Sequence, residues 1–181
     1  TLIDSFSKKF RNCQIGIGGQ NCHESKNYGP YTGSVNSRML KNIGAQFVII
    51  GHSENRKKGE DNNLINLKIK SALAAKLKVI YCIGETLTEK RKKKTKSILS
   101  KQIKVGLKDL KNISKIFIAY EPVWAIGTGV VPKSEDLLKT VKFIKSKFKD
   151  KSPRILYGGS VNSQKIKNLK EINNIDGFLI G

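Results

Sequence analysis

Short apolar runs rich in Val, Ile and Phe recur at residues 14–17, 46–50, Lys78–Ile83, 115–120, Arg154–Tyr157 and 177–180, and each has about the length of one buried strand. The segments between them carry apolar residues at helical spacing. The pattern is clearest at Leu137, Val141, Ile144 and Phe148, and again at Leu64, Leu67, Ala72 and Ala75; residues 97–107 read as a further helix. Strand and helix therefore alternate along the chain. Strands that are apolar throughout, rather than alternately apolar and polar, are buried on both faces, which marks a parallel sheet flanked by helices. No linker, low-complexity tract or second domain interrupts the rhythm.

A doubly wound open sheet and a closed (β/α)8 barrel both satisfy this pattern, so the residues after each strand must separate them. No Gly-x-Gly-x-x-Gly follows the first strand, which weakens a dinucleotide-binding reading. Polar and charged residues stand instead at almost every strand end: Gln20-Asn21, His52-Ser53-Glu54, Gly84-Glu85, Glu121-Pro122, Gly158-Gly159-Ser160 and Gly181. Chemistry gathered from many strand ends is what a barrel offers.

Composition narrows the class further. At 181 residues and 38% hydrophobic the chain can bury a core, and no apolar run approaches the roughly 20 residues of a membrane helix, so no membrane association is expected. Cys13, Cys22 and Cys82 contain no Cys-x-x-Cys pair and fit neither a disulfide framework nor a zinc site, which points to a reducing cytoplasm. The net charge of +21 comes from 30 Lys and only five Arg. A nucleic-acid reader leans on Arg and interleaved aromatics, and neither is present, so no nucleic-acid partner is expected. The densest run, Lys90-Arg91-Lys92-Lys93-Lys94-Thr95-Lys96, reads as a solvated helix face.

Glu121 follows the apolar strand 116–120 directly, where burial can raise a carboxyl pKa as a general base requires. Residues 124–129, Trp-Ala-Ile-Gly-Thr-Gly, are apolar and glycine-rich together and suit a lid that excludes water; the plainer reading is a tight turn. His52 also stands at a strand end, before a stretch able to open a helix. The positive end of a helix favours neutral imidazole, leaving an N–H to polarise a carbonyl. His23, in the loop 22–33, reads as a packing or hydrogen-bonding residue. Gly158-Gly159-Ser160 and Gly181 bring backbone N–H groups to the last two strand ends, a common place for phosphate in barrels.

The run from Ala119 to Gly129 resembles the signature of the triosephosphate isomerase family throughout. Gln20-Asn21-Cys22, Tyr31-Thr32-Gly33, Ile50-Gly51-His52-Ser53-Glu54, Tyr81-Cys82-Ile83-Gly84-Glu85 and Tyr157-Gly158-Gly159-Ser160-Val161-Asn162 follow the family's order and spacing. The resemblance implies a (β/α)8 barrel, present here as an incomplete portion of about six strands, with residues 1–181 forming a single domain truncated at both ends. It implies interconversion of dihydroxyacetone phosphate and D-glyceraldehyde 3-phosphate through an enediolate, with no metal or organic cofactor. In that reading Glu121 shuttles the proton, His52 is the neutral electrophile, and Gly127, Ser160 and Gly181 bind the phosphate of a small phosphorylated triose. The resemblance further implies a cytoplasmic homodimer joined through the loop from Cys22 to Gly33, with Thr32 expected near Glu54 of the partner subunit.

Two departures accompany the match. The family's Asn-x-Lys segment, whose lysine supports the enediolate, has no counterpart in the chain, and alignment by motif places Thr1 after the second strand. Asn55 stands where the family usually has the first of two Arg residues, Arg56 being the second. From another class, a noncatalytic remnant or a polyanion-binding module on a barrel fold is the alternative. Retention of both Glu121 and His52 argues against the remnant, and the even scatter of Lys argues against a focused patch.

Overall fold

The computed structural model of the chain describes residues 2–148, 152–161 and 164–181. The chain packs as two compact units: the first runs to Tyr81 and takes in Val105–Ile116, and the second comprises Cys82–Lys104 and Phe117–Gly181. In chain order the elements are α1 (Ile3–Lys9), β1 (Gly18–Gly19), α2 (Ser37–Asn42), β2 (Phe47–Ile50), α3 (Ser53–Lys57), α4 (Asn62–Ala74) and β3 (Lys78–Ile83). They continue with α5 (Leu87–Arg91), α6 (Thr95–Gly106), β4 (Ile116–Tyr120), α7 (Ser134–Lys145), β5 (Arg154–Tyr157), α8 (Lys165–Lys170) and β6 (Gly177–Phe178).

Within each unit the strands pair in parallel and sheet order is chain order. In the first unit β1 pairs with β2 from Gly18↔Phe47, and β2 pairs with β3 from Phe47↔Lys78 to Ile50↔Tyr81. In the second, β4 pairs with β5 from Phe117↔Arg154 to Tyr120↔Tyr157, and β5 with β6 from Leu156↔Gly177. Because Tyr120 and Tyr157 are register partners, both strands finish level, and Glu121 and Gly158 leave the sheet on the same edge. β3 and β4 are buried almost throughout, as a parallel sheet between helices requires, whereas β2 and β5 alternate buried and partly exposed residues.

The helices follow local rules. α7 buries Leu137, Val141 and Ile144 at the expected i, i+4, i+7 spacing, each residue stabilising the fold by about 1.5–3 kcal/mol. Glu135 and Asp136 in its first turn and Lys142 and Lys145 in its last complement the helix dipole. Phe148 lies beyond its end. In α4 the side chain of Asp61 caps the N-terminus by accepting from Leu64 N–H at 2.8 Å.

Three expectations are corrected. The first strand is Gly18–Gly19 rather than 14–17. The chain leaves α2 through Gly44, so its partner strand begins only near Gln46, whose N–H reaches the Ile17 carbonyl at 2.8 Å; Ile15 is 54% exposed. The buried face of α4 is Ile65, Ile69 and Ala72, with Asn66, Lys68 and Ser71, while Leu67 is 51% exposed. The lysine run is no continuous helix face: Lys90 and Arg91 end α5, Lys92–Lys94 form a turn with Lys93 at φ 54°, and α6 begins at Thr95.

Candidate active site

In the second unit the site grows from the ends of β3 and β4. Glu121 N–H donates to the Ile83 carbonyl at 2.7 Å, and Gln102 from α6 clamps Gly84 by accepting from its N–H and donating to its carbonyl, both at 2.9 Å. The two backbones then touch so closely that a Cβ on Gly84 would lie 1.7 Å from the Glu121 carbonyl oxygen, and one on Gly158 would lie 2.9 Å from Glu121 Cγ. Glycine at both positions therefore makes room for Glu121, which is 2% exposed at the strand end that its sequence position predicts.

Glu85 is as deeply buried, at 1%. Both its carboxylate oxygens accept from the Tyr120 hydroxyl, at 3.2 and 3.1 Å, and Oε1 also accepts from the Trp124 indole N–H at 2.9 Å. Burial raises its pKa above the ordinary 4.5, against the opposing pull of the Trp124 and Tyr120 donors and the Lys90 charge. Tyr120, buried first of all and then facing Glu85, is pushed well above the usual phenol value. No role for Glu85 follows from its strand-end position alone. The available signal is a carboxylate following the apolar Tyr81-Cys82-Ile83, where an unpartnered charge would be costly.

Residues 124–129 leave β4 through a 3-10 turn, Val123–Ala125, and pass through positive φ at Gly127 (67°) and Gly129 (72°). A type of turn that needs left-handed backbone twice in three residues explains both glycines. The segment is tied to the end of β5: Gly129 N–H donates to Ser160 Oγ at 3.1 Å, while Ser160 donates to the Ala125 carbonyl through its hydroxyl at 2.6 Å and its N–H at 3.1 Å. The segment that contains Gly127 is thus fastened to Ser160, within the unit that also holds Glu121. Gly181 follows β6 and is exposed, with open space where a Cβ would be. Asn162 lies outside the described residues.

His52 belongs to the first unit. It is the N-cap of α3, and its Nδ1 accepts from Glu54 N–H at 3.4 Å, which in a neutral ring leaves the proton on Nε2 as the donor. Arg56 braces the strand end by donating from Nε to the Gly51 carbonyl at 2.8 Å and from Nη1 to Asn62 at 2.7 Å. After β1, Asn21 donates to Glu60 at 2.8 Å, and Glu60 pairs with Lys68, which is only 6% exposed. A lysine on the buried stripe of α4 was the available signal for that pair. Nearby Cys22 is pushed up to about 12 by burial, leaving an unreactive thiol. His23 has the structural part expected of it, accepting from Ser25 N–H at 3.1 Å with its ring 4.5 Å from Tyr31.

Among the described residues no group of three or more His, Cys, Asp or Glu is placed to hold a metal, and no helix is long and apolar enough to cross a membrane. The family model for triosephosphate isomerase matches residues 1–181. The chain belongs to the triosephosphate isomerase family. It is 44% identical to the triosephosphate isomerase of Thermodesulfovibrio yellowstonii over 99% of its own length and 75% of that protein. To the triosephosphate isomerase of Mycoplasmopsis pulmonis it is 43% identical over 100% and 73%. The crystal structure of triosephosphate isomerase from Bartonella henselae superposes with a TM-score of 0.92 at 38% identity, covering 100% of this chain and 76% of that one. The fold is thus an incomplete portion of a (β/α)8 barrel, with six strands among the described residues. Family membership makes the protein an isomerase of the aldose–ketose type that interconverts triose phosphates.

Proposed function

We propose that Glu121 is the base that carries the proton between the two carbons of the triose phosphate, and that His52 donates through Nε2–H to the carbonyl and the enediolate formed from it. The observation that carries this reading is the setting of Glu121: a carboxylate 2% exposed, fixed through its main chain at a strand end, next to a segment fastened to Ser160. A base held in one place removes a proton from one carbon and returns it to the next without reorganising, and burial keeps water from competing for it. His52 suits the complementary part because a neutral imidazole stabilises negative charge by a hydrogen bond and gives up no proton beforehand.

Residues 124–129 act as the lid, and Gly127, Ser160 and Gly181 face the phosphate. Support comes from the glycine turns and from the ties between Gly129, Ser160 and Ala125, which couple the lid to the loop after β5. The reaction needs no metal or organic cofactor, since proton transfer and hydrogen bonding account for every step. In the full-length protein Glu121→Gln should lower kcat by about a hundred- to ten-thousandfold while KM changes far less, because it removes a base and little ground-state binding. A variant retaining parental kcat would overturn the assignment.

The protein works as a homodimer in the cytoplasm, joined through the loop 22–33, with residues 1–181 belonging to one domain. Tyr28 and Tyr31 in that loop, and Val35 just beyond it, are exposed apolar groups suited to a partner surface, and Tyr31 is braced by His23. Thr32 then lies near Glu54 of the partner subunit. Sedimentation of the full-length protein should give a dimer; a fully active monomer would contradict it.

A further inference from the structure

One short segment holds Trp124 from two sides. The indole N–H donates to buried Glu85 at 2.9 Å, and the Lys90 ammonium lies 3.2 Å from the centre of the Trp124 ring. Between Glu85 and Lys90, Thr86 and Glu89 form a capping box that opens α5, with Glu89 N–H donating to the Thr86 hydroxyl and Thr86 N–H to the Glu89 carboxylate. The carboxylate at the ring edge and the cation on the ring face therefore arrive on a single capped turn. The two contacts reinforce one another: an indole whose N–H is drawn toward a carboxylate presents a more electron-rich face to a cation.

The backbone around Trp124 is tied down on its other side. Its carbonyl accepts from the Thr128 hydroxyl at 3.2 Å, and the adjoining Ala125 carbonyl takes both Ser160 donors. Resting on the reading of residues 124–129 as the lid, we propose that Lys90 is a positioning residue for the isomerisation. Its ammonium over the Trp124 ring holds the root of the lid in the arrangement that ties Gly129 to Ser160. This sets Lys90 apart from Lys92–Lys94 after it, which sit in the turn between α5 and α6, and from Lys96, which lies over the ring of Phe143 on α7 at 5.5 Å. Lys90 acts through Trp124 and touches no reacting atom.

The test uses the full-length protein with Lys90→Met, which removes the charge at nearly constant length, and Lys90→Arg, which keeps a cation able to stack on indole. Trp124 is the one tryptophan among these 181 residues, and subtracting the emission of the Trp124→Phe protein isolates its signal. Lys90→Met should shift Trp124 emission and raise the concentration of inorganic phosphate that half-saturates the phosphate-induced change by about two- to fivefold, the equilibrium effect of one exposed cation–ring contact. KM should rise by a similar factor, with kcat falling less than KM rises. Lys90→Arg should restore each value. If Lys90→Met leaves emission and the phosphate midpoint at parental values, or if Lys90→Arg behaves like Lys90→Met, the proposal fails. A parent protein without isomerase turnover would instead overturn the functional reading, and emission with phosphate would still decide the role of Lys90.

Discussion

The ends of β3 and β4 each carry a deeply buried glutamate, but the two are held in different ways. Glu85 is fixed by its carboxylate, which takes hydrogen bonds from Tyr120 and Trp124, and its carbonyl accepts from Val123 N–H at 3.0 Å. Glu121 is located through its main chain, bonded to Ile83 and pressed against Gly84, with Gly158 beneath its Cγ. A carboxylate surrounded by fixed donors is an anchor. On the proposed reading, the carboxylate placed by its backbone at the end of β4 serves the chemistry, and the anchored one at the end of β3 serves the attachment of the lid.

The largest effect should follow from removing the space that separates these two ends. Gly84→Ala places a methyl 1.7 Å from the Glu121 carbonyl oxygen, a backbone atom that no side-chain rotation can move. We expect a loss of at least about 3 kcal/mol, the upper range of overpacking, together with loss of turnover, read by denaturant unfolding and kinetics. Wild-type stability in that variant would show that the two ends do not meet as described.

A smaller effect sharpens the other side of the comparison. Burial raises the folded-state pKa of Glu85 above 4.5, so its contribution to stability is full below about 4.5 and is lost as pH rises through the raised value. In Glu85→Gln that titration is absent. The stability of the parent relative to this variant should therefore decline as pH rises above about 4.5, measured by urea unfolding at each pH. A difference that grows as pH rises would mean that Tyr120, Trp124 and Lys90 outweigh burial.

The smallest effect belongs to the exposed turn between α5 and α6. Replacing Lys92, Lys93 and Lys94 with Gln should leave kcat/KM within about twofold, because all three are exposed and solvent screens their charges. Weak, salt-sensitive adhesion to nucleic acid should fall, seen as a shallower dependence on salt concentration. Loss of turnover here would move the chemistry away from the strand ends.

Much of the fold was legible because periodicity and burial coincide where side chains are apolar. Lys78–Ile83 and Arg154–Tyr157 occur at the expected bounds, and α7 buries the expected face. The reading slipped where polar residues occupy buried positions: Asn66 donates to the Gly106 and Lys108 carbonyls and Lys68 pairs with Glu60, so α4 turns Leu67 outward. At β1 hydrophobicity alone could not reveal that the partner strand starts late. In the site, the burial of Glu121 at a strand end and the glycine turns of residues 124–129 were visible in residue type and order. The anchoring by Glu85 was not, because it depends on which donors the fold brings to a buried carboxylate. Gly158 likewise reads as a ligand approach, although it makes room for the Glu121 side chain of the protein itself.

The central claim is that the proton passes through Glu121, and proton NMR of dihydroxyacetone phosphate in D2O measures that passage directly. The full-length protein should exchange the carbon-bound hydrogen for deuterium, and Glu121→Gln should slow the exchange by about a hundred- to ten-thousandfold. Exchange by Glu121→Gln at the parental rate would contradict the account.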